Sequence, residues 1–518
     1  MSGPMTYLCV PIFVTDDLAA AKAAMARAAE GGADLVELRI DSLSSAEALA
    51  PLLKDSPLPV IVTCRPTWEG GHSDLGDAQR WQLLQQAAQL GASYIDVELK
   101  SWRQEPPAPR DRRAGLILSA HDFSGRPEKL YNLLSELSQS SADVHKIVWT
   151  ARTIRDNLEA LELLRTRQKP MIAFCMGEAG LVSRVLCRKF GGFLSFASLE
   201  SGAGTAPGQV TLATMKSLYR WDRIGPGTRV YGVVAQPVAH SMSPAVHNAA
   251  FEATHHDGVY LPFLVEGSYE SFKAFMESFL HFAGLDLSGL SITLPHKQNA
   301  LRYLREKGAE VEDLCARIGA VNTIAIQRSG EQISLRGFNT DYAAILDCIT
   351  GGLGISRRQL ANLRVAVIGA GGTGRTAVAA LAHCGASVMV YNRTPQRAAA
   401  LAEEFSQRPG QVVALPLADL GSAECDVYVN ATSVGMHPKV DQSPFGDKPP
   451  ALGPGTLVFD TVYNPMQTRL LQQARQAGAR TVGGVEMFVH QAAAQFEAWC
   501  SLPAPVDVMR QVIQQQLG

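Results

Sequence analysis

Five side chains capable of acid–base or covalent chemistry stand in short apolar segments of the first 220 residues. They are Glu37, Arg39, Arg65, His121 and Lys146. A lysine that is kept away from water beside arginines has a lowered pKa, and its neutral amine attacks a carbonyl carbon to form an imine. The protonated imine withdraws electrons from the adjacent carbon, so a histidine within reach removes the acidified proton. The set therefore predicts Schiff-base lyase or aldolase chemistry.

The elements that must position these side chains are eight short apolar segments: "TYLCVPI", "DLVELRI", "PVIVTC", "SYIDVEL", "GLILSAHD", "VHKIVWTA", "MIAFCM" and "GFLSFASL". Ala-, Leu- and Gln-rich stretches with helical spacing separate most of them. Eight strands that alternate with helices predict a parallel (β/α)₈ barrel, with an open doubly wound sheet as the alternative. In a barrel, charged residues near the C-terminal ends of the strands face the active site.

The first half also resembles a known family. "VELRID", "CRPTWEGG", "SAHDF", "HKI", "MGEAGLVSR" and "TAPGQ" occur in the order found in type I 3-dehydroquinate dehydratase, over residues 1–220. The resemblance implies that Lys146 forms an imine with the C3 ketone of 3-dehydroquinate and that His121, oriented by Glu37, removes a C2 proton. Thr205 stands where the family commonly has serine. The implied substrate contacts are Arg39, Arg65, Glu69 on a lid-like loop, Arg184, Thr205 and Gln209.

A turn-forming cluster at residues 225–227 ("GPG") predicts the boundary between the two halves. Beyond it, a strand and a loop lead to a helix whose start signals are Ser243 at the N-cap and Pro244 at the first helical position. The free backbone N–H groups of a helix start favour an anion, and the hydroxyls of Ser241 and Ser243 add donors. Plain capping is the alternative role of these two serines.

A glycine motif in the second half predicts a dinucleotide site. In "LRVAVIGAGGTGRTAVAALAHCGASVMVYNRT", Gly369, Gly371 and Gly374 satisfy GxGxxG directly after a strand and at the start of a helix. An NAD site usually has an acidic residue at the end of the second strand, and here that position holds "NRT". Because Arg393 suits a 2′-phosphate, the sequence predicts NADP(H) as the cofactor.

Roughly residues 226–518 resemble shikimate dehydrogenase, through "HSMSP", "ITLPHK", "GAVNT", "NTD", "GAGGTGR", "NRT", "NATSVGM", "DTVYNP" and "GGVEMFVHQA". The resemblance implies that Lys297, paired with Asp341, handles a proton while hydride moves between the nicotinamide and the ring. Ser291 and Tyr342 depart from the family, where many members have asparagine and glycine. The implied substrate contacts are Ser241, Ser243, Thr293, Asn322, Tyr463 and Gln491. The implied cofactor contacts are Gly369, Ala370, Gly371, Gly372, Thr373, Gly374, Asn392, Arg393, Thr394, Thr432, Ser433, Val462 and Met487.

These patterns together predict an α/β protein with three domains. We expect a barrel over residues 1–222, a substrate lobe over 228–345 completed by C-terminal helices at about 490–518, and a Rossmann domain over 346–489. The product implied for the first half, 3-dehydroshikimate, is the substrate implied for the second, so we expect dehydration followed by NADPH-dependent reduction to shikimate. The alternatives are a quinate dehydrogenase in the second half, a Schiff-base aldolase in the first, or a metabolite sensor without catalysis.

The composition sets the class of protein. With 46% hydrophobic residues, 19% charged residues and a formal net charge of -2, the 518-residue chain is typical of an ordinary globular protein rather than a nucleic-acid binder or an acidic tail protein. Nine cysteines without a CxxC pair indicate reduced thiols, and no metal site is predicted. The sequence shows neither a signal-peptide pattern nor a membrane-spanning apolar run, so we expect a cytoplasmic protein with small-molecule substrates and no nucleic-acid or membrane partner; its oligomeric state stays open.

Overall fold

The computed structural model describes residues 6–43, 45, 47–104, 113–200, 202, 207–239, 241–330, 332–406 and 410–517. The predicted substrate contact Thr205 lies outside these residues. Backbone contacts group the chain into two compact units, the first formed by residues 1–240 and 257–287, and the second by residues 241–256 and 288–518. The three-domain division stays a prediction.

The strands of both units are β1 (Tyr7–Phe13), β2 (Leu35–Arg39), β3 (Val60–Thr63), β4 (Tyr94–Glu98), β5 (Gly115–Asp122), β6 (Val144–Thr150), β7 (Met171–Met176), β8 (Leu194–Phe196), β9 (Arg229–Ala235), β10 (Gly258–Leu264), β11 (Leu287–Ile292), β12 (Glu310–Val311), β13 (Thr323–Ser329), β14 (Gln332–Phe338), β15 (Arg364–Ile368), β16 (Ser387–Tyr391), β17 (Val412–Leu415), β18 (Val427–Asn430), β19 (Leu457–Asp460) and β20 (Arg480–Val482).

The α-helices are α1 (Leu18–Glu30), α2 (Ala50–Lys54), α3 (Asp77–Gln89), α4 (Leu99–Gln104), α5 (Leu130–Gln139), α6 (Asp156–Thr166), α7 (Leu181–Leu186), α8 (Ser243–Ala253), α9 (Tyr269–His281), α10 (Lys297–Glu306), α11 (Asp313–Ile318), α12 (Thr340–Leu353), α13 (Gly372–His383), α14 (Pro395–Phe405), α15 (Arg469–Gln476), α16 (Gly484–Cys500) and α17 (Val506–Leu517). Among the described residues, none of these helices is long and apolar enough to cross a membrane.

The first eight strands form a closed parallel barrel. Each strand pairs with its sequence neighbour from β1 to β7, and β8 pairs with β1. The N–H of Phe193, just before β8, donates to the carbonyl of Met171 at the start of β7, at 2.7 Å. This closure confirms the predicted barrel and excludes the open sheet.

Strand alternation builds the barrel interior in layers. One layer is apolar and buried, and its members include Cys9, Leu35, Ile61, Ile117 and Val144. Side chains two residues apart on a strand share a face. Two positions further along β2, β3, β5 and β6, and likewise within β4, the buried residues therefore become polar: Glu37, Thr63, Asp96, Ser119 and Lys146. The barrel thus changes from an apolar floor to a charged layer within two residues.

The second unit contains a parallel sheet in the order β17-β16-β15-β18-β19-β20, with α13 directly after β15. This is the Rossmann arrangement that the glycine motif predicted, with the helix N-terminus at the strand's carboxyl end. In the same unit β13 pairs antiparallel with β11 and β14. The C-terminal helices pack on this part, since the Trp499 indole N–H on α16 donates to the Ile324 carbonyl on β13 at 3.1 Å.

Candidate active sites

A pocket lies at the carboxyl ends of the barrel strands. Its apolar wall includes Val148, Phe174, Met176 and Phe196. All the predicted dehydratase residues that the structure describes line it: Glu37, Arg39, Arg65, Glu69, His121, Lys146, Arg184 and Gln209. The strands therefore gather these side chains into one cavity.

The amine of Lys146 lies among carboxylates. Its Nζ is 2.8 Å from Asp96 Oδ2 and 3.8 Å from Glu37 Oε1, and it lies 4.9 Å from the centre of the Phe196 ring. Burial raises the pKa of Asp96, but the cations Arg65 and Lys146 lower it more, so the pKa lies below its usual range. The expectation of a lysine influenced mainly by arginines therefore needs correction, because an ionised carboxylate is its hydrogen-bond partner.

His121 is held by Glu69 and not by Glu37. Glu69 Oε1 lies 2.8 Å from His121 Nδ1 and accepts the His121 backbone N–H at 3.1 Å. Glu37 instead accepts the hydroxyl of Thr63 at 2.8 Å, so the prediction that Glu37 orients His121 is wrong. On the neighbouring strands β2 and β3, Glu37 is in register with Ile61, and its side chain reaches the hydroxyl of Thr63 two residues further along, whereas Glu69 folds in from the following turn.

The Glu69 contact fixes which ring nitrogen of His121 is free. Since Oε1 already accepts the backbone N–H, we infer that Nδ1 also donates to it, which leaves the lone pair on Nε2. Burial, together with Arg65 and Lys146, lowers the pKa of His121 well below its ordinary value. Burial also raises the pKa of Glu69 to about 8, against the opposing effect of Arg65. At neutral pH the imidazole is therefore an uncharged base.

A glycine turn brings Glu69 inward. The segment Thr67–Glu69 forms one 3₁₀ turn, and the chain then folds back on itself so closely that a Cβ atom at Gly71 would lie 2.1 Å from the Arg65 carbonyl oxygen. The "EGG" motif in the sequence is sufficient to predict that a turn occurs here. What the sequence did not show is that the turn buries the Glu69 side chain against His121.

The three pocket arginines differ in their partners. Arg65 bonds Asp96 at 2.9 Å and Glu98 at 2.8 Å, and Arg39 forms a two-point pair with Asp41. Arg184 has no carboxylate partner among the described residues, although its side chain is buried.

Among the residues that the structure describes, Arg184 is thus a buried cation without a counter-ion. Its guanidinium lies 4.5 Å from the centre of the Phe174 ring, and one nitrogen donates to the Pro207 carbonyl at 3.3 Å. Burial lowers the pKa of Arg184 to about 10. Because an unpaired buried charge is costly, Arg184 is the arginine available to bind a substrate carboxylate.

A residue from outside the barrel completes the charged layer. Arg80 on α3 is buried, and its Nη1 donates to the Cys64 carbonyl at 2.9 Å and to Glu98 Oε2 at 2.5 Å. Glu98 is therefore shared between Arg80 and Arg65. No motif pointed to Arg80, because its distance from the site in sequence gives no hint of this contact.

In the second unit, Lys297 and Asp341 form the predicted pair. Lys297 Nζ donates to Asp341 Oδ2 at 2.6 Å, and both side chains are partly open to solvent, at 31% and 15% exposure. Lys297 begins α10, and Asp341 lies in the first turn of α12. Asn322 is buried and stabilises the first turn of α12, because its Oδ1 accepts the N–H of Thr340 at 2.8 Å.

The other predicted substrate residues occupy several elements. Helix α8 begins at Ser243 with Met242 at its N-cap, so the predicted N-cap is wrong by one residue; Ser241 accepts the N–H of Ser243 at 3.3 Å. Thr293 precedes α10, and its carbonyl accepts the N–H of His296.

The last two predicted substrate residues come from the C-terminal part of the chain. Tyr463 is 40% exposed, and Gln491 lies on α16.

Both departures from the family make contacts within the protein. The Ser291 hydroxyl donates to Gln495 Oε1 at 2.8 Å, which ties β11 to α16. The Tyr342 hydroxyl hydrogen-bonds Cys384, and burial raises the pKa of Tyr342 above its usual range. Neither side chain displaces Lys297 from Asp341.

The glycine turn after β15 fits a dinucleotide. Gly369 has a φ of +111°, and a Cβ atom at Gly374 would lie 2.0 Å from the Gly369 carbonyl oxygen. Helix α13 begins at Gly372, where its unpaired N–H groups favour a pyrophosphate. Asn392 Oδ1 accepts the N–H of Ala370 at 3.1 Å, which joins the turn to the end of β16.

The remaining predicted cofactor residues all follow this turn in the sequence. Arg393 is exposed and has no ion-pair partner among the described residues, so it is available for a 2′-phosphate. The hydroxyl of Thr432 donates to Asn430 Oδ1 at 2.7 Å. The other predicted contacts have these environments: Thr394 and Ser433 are exposed, Val462 is buried, and Met487 is partly buried.

Comparison with known proteins finds matches for both halves of the chain. Residues 8–226 match the model for type I 3-dehydroquinase, residues 233–324 the shikimate dehydrogenase substrate binding domain, residues 354–448 the shikimate / quinate 5-dehydrogenase model and residues 484–514 the shikimate 5′-dehydrogenase C-terminal domain. The bifunctional 3-dehydroquinate dehydratase/shikimate dehydrogenase of Arabidopsis thaliana, a chloroplastic protein, is 39% identical over 98% of this chain and 84% of its own length. This chain belongs to that bifunctional family.

Single-function relatives match one half of this bifunctional family member. The shikimate dehydrogenase (NADP(+)) of Methanosarcina acetivorans is 36% identical over 56% of this chain and 99% of its own length.

A solved dehydroquinate dehydratase and shikimate dehydrogenase from S. pombe instead covers 99% of both chains, at 25% identity and with a TM-score of 0.45. The chain thus joins a dehydratase half and an NADP-dependent dehydrogenase half.

Proposed function

We propose that this protein dehydrates 3-dehydroquinate to 3-dehydroshikimate in its first unit and reduces that product to shikimate with NADPH in its second. The observation that carries the first step is the pocket that combines the Lys146 amine, the uncharged base His121 and the unpaired cation Arg184. The 39% identity to a bifunctional relative over 98% of the chain supports the joining of the two steps.

The dehydratase residues have separable roles. The Lys146 nitrogen bonds to C3 of the ketone, and the carbonyl oxygen leaves as water, which gives a protonated imine. His121 Nε2 takes a proton from C2, and electrons flow into the imine. The resulting imidazolium returns that proton to the C1 hydroxyl, which departs as water. Hydrolysis of the imine then frees Lys146, while Arg184 holds the substrate carboxylate throughout.

In the dehydrogenase unit the chain positions and protonates the substrate. Bound NADPH would supply the hydride. The Lys297 ammonium donates a proton to the C3 carbonyl oxygen as the alcohol forms, and Asp341 holds that ammonium in place. The turn at Gly369–Gly374 and the start of α13 would hold the pyrophosphate, and Arg393 would hold the 2′-phosphate.

Two measurements on the full chain test this function. Borohydride reduction with 3-dehydroquinate, followed by peptide mapping, should label Lys146. In a separate reaction, the full chain with 3-dehydroquinate and NADPH should yield shikimate, with loss of NADPH absorbance. A labelled lysine without loss of water would favour an aldolase, and faster oxidation of quinate than of shikimate would favour the quinate dehydrogenase alternative. Ligand binding without turnover at either site would favour a metabolite sensor.

We also propose a cytoplasmic location with small-molecule substrates and neither nucleic-acid nor membrane partners. All nine cysteines are free thiols, which suits a reducing compartment, and the net charge is close to zero. The chloroplastic location of the Arabidopsis relative is the contrasting case. Cell fractionation checks the proposal, because recovery of the dehydrogenase activity in an organelle or membrane fraction would contradict it.

A further inference from the structure

Asp96 is buried in the barrel and holds three donors, yet none of the steps above uses it. Its Oδ1 accepts from Arg65 at 2.9 Å and from the Ser119 hydroxyl at 2.6 Å. Its Oδ2 accepts from Lys146 Nζ at 2.8 Å. The exposed fraction of Asp96 is 1%, so water does not compete for these contacts. One oxygen is thus fixed by the barrel, and the other is directed at the amine.

Among the described residues, Asp96 is the hydrogen-bond partner of the Lys146 amine. Glu37 Oε1 is 3.8 Å away, which is beyond hydrogen-bond distance, and the other neighbour is the face of the Phe196 ring. A lysine side chain has several rotatable bonds, so an amine without a fixed acceptor would sample many positions. The contact with Asp96 therefore determines where the nitrogen stands when the ketone arrives.

The charge balance of imine formation explains why a carboxylate suits this position. An ammonium and a ketone give a protonated imine and one water. Two of the three ammonium protons leave with the carbonyl oxygen, and the third stays on nitrogen. The nitrogen is therefore cationic before and after condensation, and a buried cation needs a counter-ion in both states.

We propose that Asp96 is a positioning residue for the dehydratase, which fixes the Lys146 amine for attack and then accepts the remaining N–H of the protonated imine. This inference rests on the proposed function. It assigns Asp96 no proton transfer. Arg65 and Ser119 hold Oδ1, so Oδ2 keeps its direction while the nitrogen changes from ammonium to imine.

Glu98 provides a matched control on the same strand. It lies two residues along β4, is equally buried and also binds Arg65, but it contacts Arg80 where Asp96 contacts Lys146. Both variants, Asp96→Asn and Glu98→Gln, remove one buried carboxylate and weaken the hold on Arg65. The two variants differ because Asp96→Asn also alters the contacts with Lys146 and Ser119, whereas Glu98→Gln alters the contact with Arg80. Only Asp96 contacts the amine, so slower trapping at Lys146 in Asp96→Asn alone supports the role of that contact.

The experiment compares the full-length wild type, Asp96→Asn and Glu98→Gln. Oxidation of shikimate by NADP in the second unit serves as the internal control for folding. We expect Asp96→Asn to lower both kcat for dehydration and the rate of borohydride trapping at Lys146 by about 10²-fold, with a smaller change in KM. Glu98→Gln should act mainly on KM, through Arg65. Equal trapping rates in the two variants would overturn the role of Asp96.

The proposed function and the positioning role fail in different ways. If the wild type is not trapped at Lys146, the function is wrong. If the wild type is trapped and Asp96→Asn is trapped equally fast, only the positioning role is wrong. Where Asp96→Asn does not fold, a crystal structure of the borohydride-reduced wild type decides the matter: a nitrogen within about 3.2 Å of Asp96 Oδ2 supports the role, and one beyond about 4 Å overturns it.

Discussion

Each unit contains a lysine paired with an aspartate, and the two pairs differ in burial rather than in geometry. Lys146 lies 2.8 Å from Asp96, with 5% and 1% of their side chains exposed. Lys297 lies 2.6 Å from Asp341, with 31% and 15% exposed. Coulomb interactions are stronger away from water, and the cost of burying each charge is also larger. Under the proposed function, the same two residue types would serve two kinds of chemistry in two different surroundings.

The surroundings of the pairs agree with these two uses. Inside the barrel, Arg65 and Ser119 also donate to Asp96, so the acceptor of the Lys146 amine is fixed in position. Lys297 stands at the start of α10, where the helix dipole opposes a positive charge, and Asp341 provides the compensation. Because that pair is open to water, a proton passed to substrate can be replaced from solvent.

The substitution with the largest expected effect on activity is Lys146→Met, which removes the buried amine. Since methionine cannot form an imine, we expect dehydration to fall by roughly 10⁴-fold or more. NADP-dependent oxidation of shikimate by the same preparation should not change. Parallel assays of both activities measure the contrast. Dehydration at the wild-type rate would show that the buried amine is not the nucleophile.

The reciprocal change is Lys297→Met. Here substrate and NADP still bind, but the group that takes the hydroxyl proton in the oxidation direction is lost, so kcat for shikimate oxidation should fall by about 10²–10³-fold with little change in KM. Dehydration should be unaffected. Steady-state kinetics over a range of shikimate concentrations checks this. A rise in KM with normal kcat would instead assign Lys297 to substrate binding.

Arg184→Met tests a buried charge that has no counter-ion in the described part of the chain. Because a charge-assisted contact contributes about 1.5–3 kcal/mol, KM for 3-dehydroquinate should rise by about 10–100-fold. The ligand-free protein should become more heat-stable, since a buried cation without a counter-ion is removed. Kinetics and thermal unfolding measure the two effects. A fall in stability would show that the Phe174 contact outweighs the cost of burying the charge.

The last prediction concerns how the stability of the first unit depends on pH through Glu69. Its ordinary pKa is 4.5, and burial raises it to about 8. Between about pH 5 and 8 the native state therefore keeps a proton that the unfolded chain has lost, and stability falls as pH rises. The slope is at most about 1.4 kcal/mol per pH unit.

Glu69→Gln removes this proton exchange and retains an acceptor for His121. The melting temperature of the variant minus that of the wild type should increase from pH 5 to pH 8 and then stay level, while other titrating groups cancel in the difference. A difference that is constant over this range would contradict the raised pKa.

The sequence allowed the barrel and most of its pocket to be predicted because strands impose a period of two. Lys146 stood out as a charge in an apolar strand, and Glu37 and Arg39 had to share a face. Partners across strands depend on register, which sequence spacing does not specify. The pairing of Lys146 with Asp96 was therefore missed.

Loop folding accounts for the other errors. The prediction treated Glu69 as a lid residue, because a glycine-rich segment shows that a turn occurs but not which way its side chains face. The predicted N-cap of α8 was wrong by one residue, because the N-cap is Met242, which makes no side-chain cap hydrogen bond that a search for hydroxyl residues could find. The dinucleotide turn was predicted well, because Gly369 and Gly374 are required by close backbone approach alone.

Arg80 has a practical consequence for redesign of this enzyme. Its side chain crosses from α3 to Glu98 and the Cys64 carbonyl inside the barrel. The outer helices of such barrels are often regarded as interchangeable packing, but replacing α3 here would leave Glu98 with one cation fewer. A chimera that exchanges this helix should therefore carry the arginine with it, and a library that randomises the helix surface should hold that position constant.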